Sequence, residues 1–448
     1  MAGSRLGPHA SLQSRSSPPD RDDALVSANA FAALKLRDFT LLIVAGALLL
    51  TIALLAQEVA LGYALYQRTR DPLTLGLIGL SAAVPYLLVA LYGGALADRG
   101  RRKRIVVISV SGMLLGAIVL DALMRHADQL SDFALLTSVY LAVAGVGLAR
   151  GFYGPAASAL RASLIPPAVY ANASAWSSSF WQLGAVLGPL VAGFLYAPIG
   201  LGGTLLVVVV LIAIALLLLV LIRPPANPPA LNREPILLAI RGGFRFVFQS
   251  RPLLYSISLD LVAVLFGGVV AILPAFAEDV LRVGPTWLGW LRAAPSIGAV
   301  LTLLLLARFS PVGTHLWRNM LLAVAGFGLA TLVFAVSTNL WLSLAMLFLT
   351  GAFDSISVVI RQYLLNAVPP DHLRGRVLAV NGLFVTASNE IGAFESGAAA
   401  RVLGLRSSVL AGASVTLVVV VWLWWKARDL ITPQMVAAAH AAISTEPK

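Results

Sequence analysis

The sequence has no cysteine in its 448 residues, which excludes disulfides and thiolate metal sites. Charge is scarce as well. Asp, Glu, Lys and Arg make up 12% of the chain, against roughly 25% in a soluble domain, so a water-soluble globular fold is excluded. Five histidines, His9, His126, His315, His372 and His440, all fall in tails or connections. No His-based metal site or His relay is therefore expected within the apolar runs. A phosphate-binding Gly-x-x-x-x-Gly-Lys-Ser/Thr loop is missing, so ATP-driven work is not encoded. No Ser-His-Asp set, zinc spacing or dinucleotide fingerprint appears. Gly145, Gly147 and Gly151 are wrongly spaced for the last and lie inside an apolar run. The reading is of a chain with no cofactor, no metal and no catalytic residues, not an enzyme. Residues 1–38, rich in Ser and Pro, lack the apolar core and cleavage site of a signal peptide and read as a disordered tail.

What the chain has is hydrocarbon. Hydrophobic residues make up 59% of it, and the mean hydropathy is +0.88. A helix that crosses a bilayer needs about 20 apolar residues. Twelve such runs can be drawn: 39–66, 73–97, 105–124, 133–158, 171–196, 203–222, 253–279, 286–307, 317–337, 340–366, 376–402 and 405–426. They lack the alternation of barrel strands, so they read as helices. The polar break at 223–252 opens with Arg223-Pro224-Pro225 and Asn227-Pro228-Pro229, which cannot be helical. From Pro235 to Gln249 the break turns amphipathic, with Ile236, Leu237, Ile240, Phe244 and Phe248 set against Arg241 and Arg245, as in a helix lying on a membrane surface.

The expected fold is an all-α integral membrane protein of 12 transmembrane helices in two pseudo-symmetric six-helix bundles. Its parts are a tail (1–38), a first bundle (39–222), a linker with an interfacial helix (223–252), a second bundle (253–426) and a second tail (427–448). The halves repeat: Leu164-Ile165-Pro166-Pro167 follows the fourth run and Ala367-Val368-Pro369-Pro370 the tenth. Such repeats place a binding site at the bundle interface, near the midplane. Basic residues crowd the first tail, the 98–104 connection and the 223–252 break, whereas the alternate connections carry only Arg68, Arg70, Arg125, Arg282, Arg401 and Arg406. By the positive-inside rule both termini are cytoplasmic. The net charge of +12 belongs to this bias and implies no nucleic-acid partner.

Charged residues nonetheless occur inside the runs: Glu58, Arg150, Asp260, Arg292, Asp354, Arg361, Glu390 and Glu395. A charge near the bilayer centre costs about 2.5–3.5 kcal/mol on insertion scales, so such residues face a cavity, a partner or a proton path. This pattern points to a solute pathway. Glu58, Arg150, Asp260, Asp354 and Glu390 are the candidates for proton coupling, because a buried carboxylate can load and release a proton as its surroundings change. The first partner expected for Arg150 is Glu58. The static alternative is an ion-pair lattice in the second half, Arg361 with Asp354 and Arg292 with Glu395. Candidates for lining a substrate cavity are Gln57, Tyr63, Trp181, Gln182, Arg292, Arg361, Phe384, Asn389 and Glu395.

Six segments carry a family resemblance. The run Gly93-Gly94-Ala95-Leu96-Ala97-Asp98-Arg99-Gly100-Arg101-Arg102-Lys103-Arg104 resembles the signature loop of the major facilitator superfamily, with Arg101 where a Gly is usual. Arg150-Gly151-Phe152-Tyr153-Gly154 resembles its Arg-x-x-x-Gly pattern. Gly184-Ala185-Val186-Leu187-Gly188-Pro189-Leu190-Val191-Ala192-Gly193 resembles its antiporter motif, with Ala192 replacing a Gly. The runs Gly351–Arg361, Pro369–Asn381 and Ala387–Gly397 are similar to the enterobactin-exporter branch of that superfamily. The resemblance implies a cytoplasmic latch built from Gly94, Asp98, Arg99, Arg102, Arg374 and Arg376, and an antiporter motif at Gly184, Gly188, Pro189 and Gly193. It implies a monomeric carrier in a bacterial inner membrane, exchanging protons for a siderophore or drug-like molecule by alternating access. Proton-coupled uptake remains open as an alternative, as does a non-transporting sensor or scaffold on the same fold.

Overall fold

A computed structural model of the chain describes residues 30–98, 102–223, 236–309, 311 and 315–427. The tail before Ala30, the connection containing Arg99, the Pro-rich part of the linker and the tail beyond Ala427 lie outside the described residues.

Every regular element among the described residues is helical. Helix α1 (Arg37–Thr69) contains a π-helical stretch at Ile43–Leu50 and is stopped by Arg70, whose φ of 52° is left-handed. Pro72 opens α2 (Pro72–Asp98), where its missing N–H costs nothing. Then come α3 (Arg102–Arg125) and α4 (Asp132–Leu164), the latter capped by the Ser131 side chain, which accepts from the Ala134 N–H. Element α5 (Tyr170–Leu221) has 52 residues and turns at Gly200, where φ is 65°. At 1.5 Å per residue it would be about 78 Å long if straight, far more than one membrane crossing. It is the fifth and sixth expected spans joined through Gly200.

The second half follows α6 (Ile236–Gln249). Element α7 (Arg251–Val280) is broken at Gly268, passes through a 3-10 turn at Val269–Ile272 and ends in a π turn at Phe276–Val280. It is followed by α8 (Pro285–Arg308), α9 (Leu316–Val336), α10 (Leu340–Ala367), α11 (Asp371–Leu403) and α12 (Leu405–Lys426). Asn339 caps α10 by accepting from the N–H groups of Trp341 and Leu342. The described residues hold 11 helices long and apolar enough to cross a membrane, α5 counting once. The fold is that of a multi-pass membrane protein.

Close packing repeats between the halves. Gly147 and Gly151 set α4 against the backbone of Ala82 and Tyr86 in α2. Gly298 and Gly351 do the same for α8 and α10, where a Cβ on Gly351 would lie 1.9 Å from the Pro295 carbonyl oxygen. Such contacts need glycine because there is no room for a side chain, and they bring helix backbones within van der Waals reach. Helix α6, expected on a membrane surface, docks on the second half: Gly243 lies against the Arg376 backbone, and Phe244 packs on Phe384 with ring centres 5.6 Å apart.

Candidate functional site

The halves touch along three seams. Gly76 and Gly79 of α2 abut Phe394 and Ala393 of α11. Gly193 of α5 abuts Gly289 of α8, and Gly62 of α1 lies near Pro274 in α7. All three contacts lie toward the end of the molecule where α1 finishes and α8 begins, here termed the far face. The near face is where α1 and α7 begin.

The far face is also closed by charge. Arg70 donates to Glu278 and to Asp279, both at 3.0 Å. The Tyr63 hydroxyl donates to Glu278 at 3.0 Å, and that of Tyr66 donates to Asp279. Arg401 of the second half pairs with Asp71 of the first at 3.3 Å. Partial desolvation disfavours the Arg70 cation, but Glu278 and Asp279 outweigh it and hold the guanidinium above its ordinary value. Tyr66, Glu278 and Asp279 were not singled out from sequence, and Arg70 entered only as a basic residue of a connection. The signal lay in the adjacent carboxylates ending one run and the basic end of another, and only a fold joins them.

Beyond this seal a cavity of about 360 Å³ opens between the halves. Gln57, Glu58 and Arg150 line it from the first half, and Arg292, Asn389 and Glu390 from the second. Its walls are otherwise apolar, including Leu54, Ile78, Val146 and Val264. Glu58 accepts from Arg292 Nη2 at 2.5 Å, and Arg292 Nη1 donates to the Val270 carbonyl at 2.7 Å, in the broken part of α7. The sequence-based expectations paired Glu58 with Arg150 and Arg292 with Glu395; the structure instead joins Glu58 to Arg292 across the two halves. Arg150 forms no ion pair among the described residues but lies within electrostatic range of Glu390. Gln57 is buried, and its Oε1 has no partner among the described residues.

A second chamber of about 440 Å³ adjoins the first, with Leu54 and Arg150 lining both. It is lined by first-half residues alone and reaches toward the near face, with Leu42, Arg161 and Ser177 on its walls.

Other candidates sit elsewhere. Arg361 pairs with Asp260, where Asp354 was the expected partner, and the pair is buried within the second half. Asp354 lies within electrostatic range of both. Tyr63 belongs to the far-face seal. Trp181 lines the second chamber, whereas neighbouring Gln182 lines neither chamber. Phe384 packs under α6. Glu395 borders a small void of about 10 Å³ between α7, α11 and α12. The antiporter-motif residues Gly184 and Gly188 hold α5 against Thr51 and Leu55 of α1, while Pro189 and Gly193 meet Gly289 of the other half. In the latch set, Arg102 donates to the Ala159 carbonyl and Arg374 to that of Asn366. Gly94 and Asp98 close α2. Arg99 lies outside the described residues.

Residues 28–444 match the family described as transmembrane secretion effector. The chain belongs to this family, a branch of the major facilitator superfamily. It is 29% identical over 371 residues to the multidrug efflux pump Tap of Mycolicibacterium fortuitum, covering 79% of this chain and 87% of that protein. To the enterobactin exporter EntS of Escherichia coli O1:K1 it is 27% identical over 336 residues, covering 73% and 76%. Among solved structures, the nucleoside transporter NupG (D323A mutant) superposes with a TM-score of 0.67 at 12% identity, over 88% of this chain and 99% of that one. A bacterial homologue of the iron transporter ferroportin, solved in an inward-facing state, gives 0.65 at 17% identity, over 87% and 98%. The family and fold are those of membrane transporters, and the relatives named for a function are efflux proteins.

Proposed function

We propose that this transporter exports a small amphipathic organic molecule, siderophore-like or drug-like, from the cytoplasm in exchange for protons. The observation that carries the reading is the cavity shared by both halves, in which Glu58 of one half is held by Arg292 of the other. Protonating Glu58 removes the charge that holds this link, and rejoining it expels the proton. A link that forms between the two moving bodies biases them by its differential strength in each state. The closed far face and the near-face chamber fit a state open to the cytoplasm, given the cytoplasmic termini implied by basic-residue bias. Arg150 and Glu390 complete the coupling set in the cavity, with Asp260 and Asp354 acting from within the second half. Gln57, Arg292 and Asn389 contact the solute. The Asp98 connection, with Gly94, Arg99 and Arg102, and its counterpart at Arg374 and Arg376 close the near face in the opposite state. The chain works as a monomer in the bacterial inner membrane.

The test is flux. In proteoliposomes under an imposed pH gradient, the wild-type chain is expected to drive solute transport, and Glu58→Gln to insert and fold normally yet lose the gradient-driven component. Unchanged pH-driven export by Glu58→Gln refutes the assignment of Glu58. Absence of flux for any solute by the wild type refutes transport by this chain and favours a sensor or scaffold.

A further inference from the structure

The two adjoining chambers differ in charge. The cavity between the halves carries two carboxylates, Glu58 and Glu390, against Arg150 and Arg292. The chamber within the first half carries Arg150 and Arg161 and, among the described residues, no carboxylate. Neither arginine forms an ion pair among the described residues, and each is half-buried. A cleft lined by charge of one sign draws counter-charge into it. The chamber also holds neutral donors. Ser177 is 5% exposed and its Oγ has no partner among the described residues. Tyr153 reaches across to α1, where its hydroxyl would lie 2.1 Å from a Cβ on Gly46, so glycine at that position makes room for the ring. Arg161 is close enough to act electrostatically on Tyr153. Trp181 supplies an aromatic wall.

We infer that the first-half chamber is a subsite for an organic anion, taking the carboxylate or other acidic group of an aromatic solute at Arg161, with Ser177 donating to it, while Arg150, about 16 Å further along α4, adds positive charge at the inner end. The apolar body of that solute extends past Leu54 into the cavity between the halves. This rests on the export reading and narrows its substrate class to amphipathic aromatic anions. Guanidinium suits the task, because its planar fork of donors matches a carboxylate. Arg161, which sequence position alone assigns to the ordinary basic bias of a cytoplasmic helix end, becomes a specificity residue.

Two xanthene dyes of similar shape and opposite charge provide the probes: fluorescein, an aromatic carboxylate, and rhodamine 6G, a cation. Binding to the full chain in phosphatidylcholine nanodiscs is read by fluorescence anisotropy, with thermal melting as the folding control. Fluorescein is expected to bind, and Arg161→Gln to weaken it about tenfold or more, the scale of one charge-assisted hydrogen bond. Arg161→Lys should recover part of the loss. Ser177→Ala should weaken fluorescein severalfold, and rhodamine 6G should be indifferent to all three changes. The inference is overturned if fluorescein does not bind, or if Arg161→Gln melts normally and leaves its affinity unchanged. It is equally overturned if adding phosphatidylglycerol to the nanodiscs expels fluorescein competitively, since the chamber then takes a lipid headgroup. Failure of this inference is separable from failure of the export reading. Gradient-driven flux of rhodamine 6G without fluorescein binding sinks the anion subsite alone. Arginine-dependent fluorescein binding with no flux of any solute sinks export and leaves the subsite standing.

Discussion

Arg361 is enclosed within the second half, its side chain 6% exposed and that of its partner Asp260 8%. A buried pair gains little net energy over an apolar replacement, but breaking one by removing a single partner costs about 3–5 kcal/mol. Arg361→Leu leaves Asp260 and Asp354 facing each other without their cation, and is expected to lower the melting temperature in detergent sharply. Adding Asp260→Leu should return part of the loss, and the double-mutant cycle measures the coupling. Sequence showed that each of these residues needed a partner but not which one. Asp354 and Arg361, two turns apart, share a helix face and were paired only in the static-lattice alternative; the structure pairs Arg361 with Asp260 on α7. Glu58 and Arg292 are 234 positions apart. Helical spacing tells which face a residue occupies but not which helix stands opposite.

At the scale of the element, glycine sets how closely the helices approach. A Cβ on Gly351 would meet the Pro295 carbonyl of α8 at 1.9 Å, and no flexible side chain is there to yield. Overpacking of this kind typically costs about 1–3 kcal/mol. Gly351→Ala should therefore melt earlier while leaving the charged sites untouched, as thermal-shift measurements would show. Gly193 lies at a crossing of another kind, between halves, where a Cβ would lie 2.7 Å from the Pro285 carbonyl. Gly193→Ala is expected to spare the stability of each half but to hold α5 and α8 apart, raising the fraction open at the far face. Spin labels on the two helices would report that distance. The small-residue stripe of α5 was legible as a packing surface. Its division of labour, with Gly184 and Gly188 serving α1 and Gly193 serving the other half, was not, because a stripe does not name its neighbours. The turn at Gly200 falls in the gap drawn between the runs 171–196 and 203–222, although helix continues on both sides of it and its positive φ marks the bend.

Across the whole molecule, the two-bundle plan was legible because the constraint behind it is severe. Backbone in hydrocarbon must satisfy its own hydrogen bonds, so apolar runs of spanning length leave few alternatives. The state in which the bundles meet was not legible, since it depends on pairs such as Arg70 with Glu278 and Asp279, which exist only across the seam. Exposed pairs of this kind are weak one by one and screened within about 8–10 Å at physiological salt. Arg70→Ala should consequently shift the balance toward a far-face opening without unfolding the chain. Because the chain has no native thiol, a Leu54→Cys substitution in the cavity supplies the sole site for an impermeant maleimide. Its labelling from outside is expected to rise severalfold in the Arg70→Ala background. In the unaltered background, raising ionic strength should give a smaller increase. Equal labelling in all three conditions would show that the seal does not depend on these charges.

Arg292 grips two things at once: the Glu58 carboxylate and the Val270 carbonyl, just past the point where α7 loses its regular winding at Gly268. Unwound backbone bends at little cost, and the far third of α7 carries Glu278 and Asp279 at its tip. Under the proposed exchange, breaking the Glu58–Arg292 pair slackens the tether on that crank, and re-forming it as the proton leaves throws the outer bolt shut.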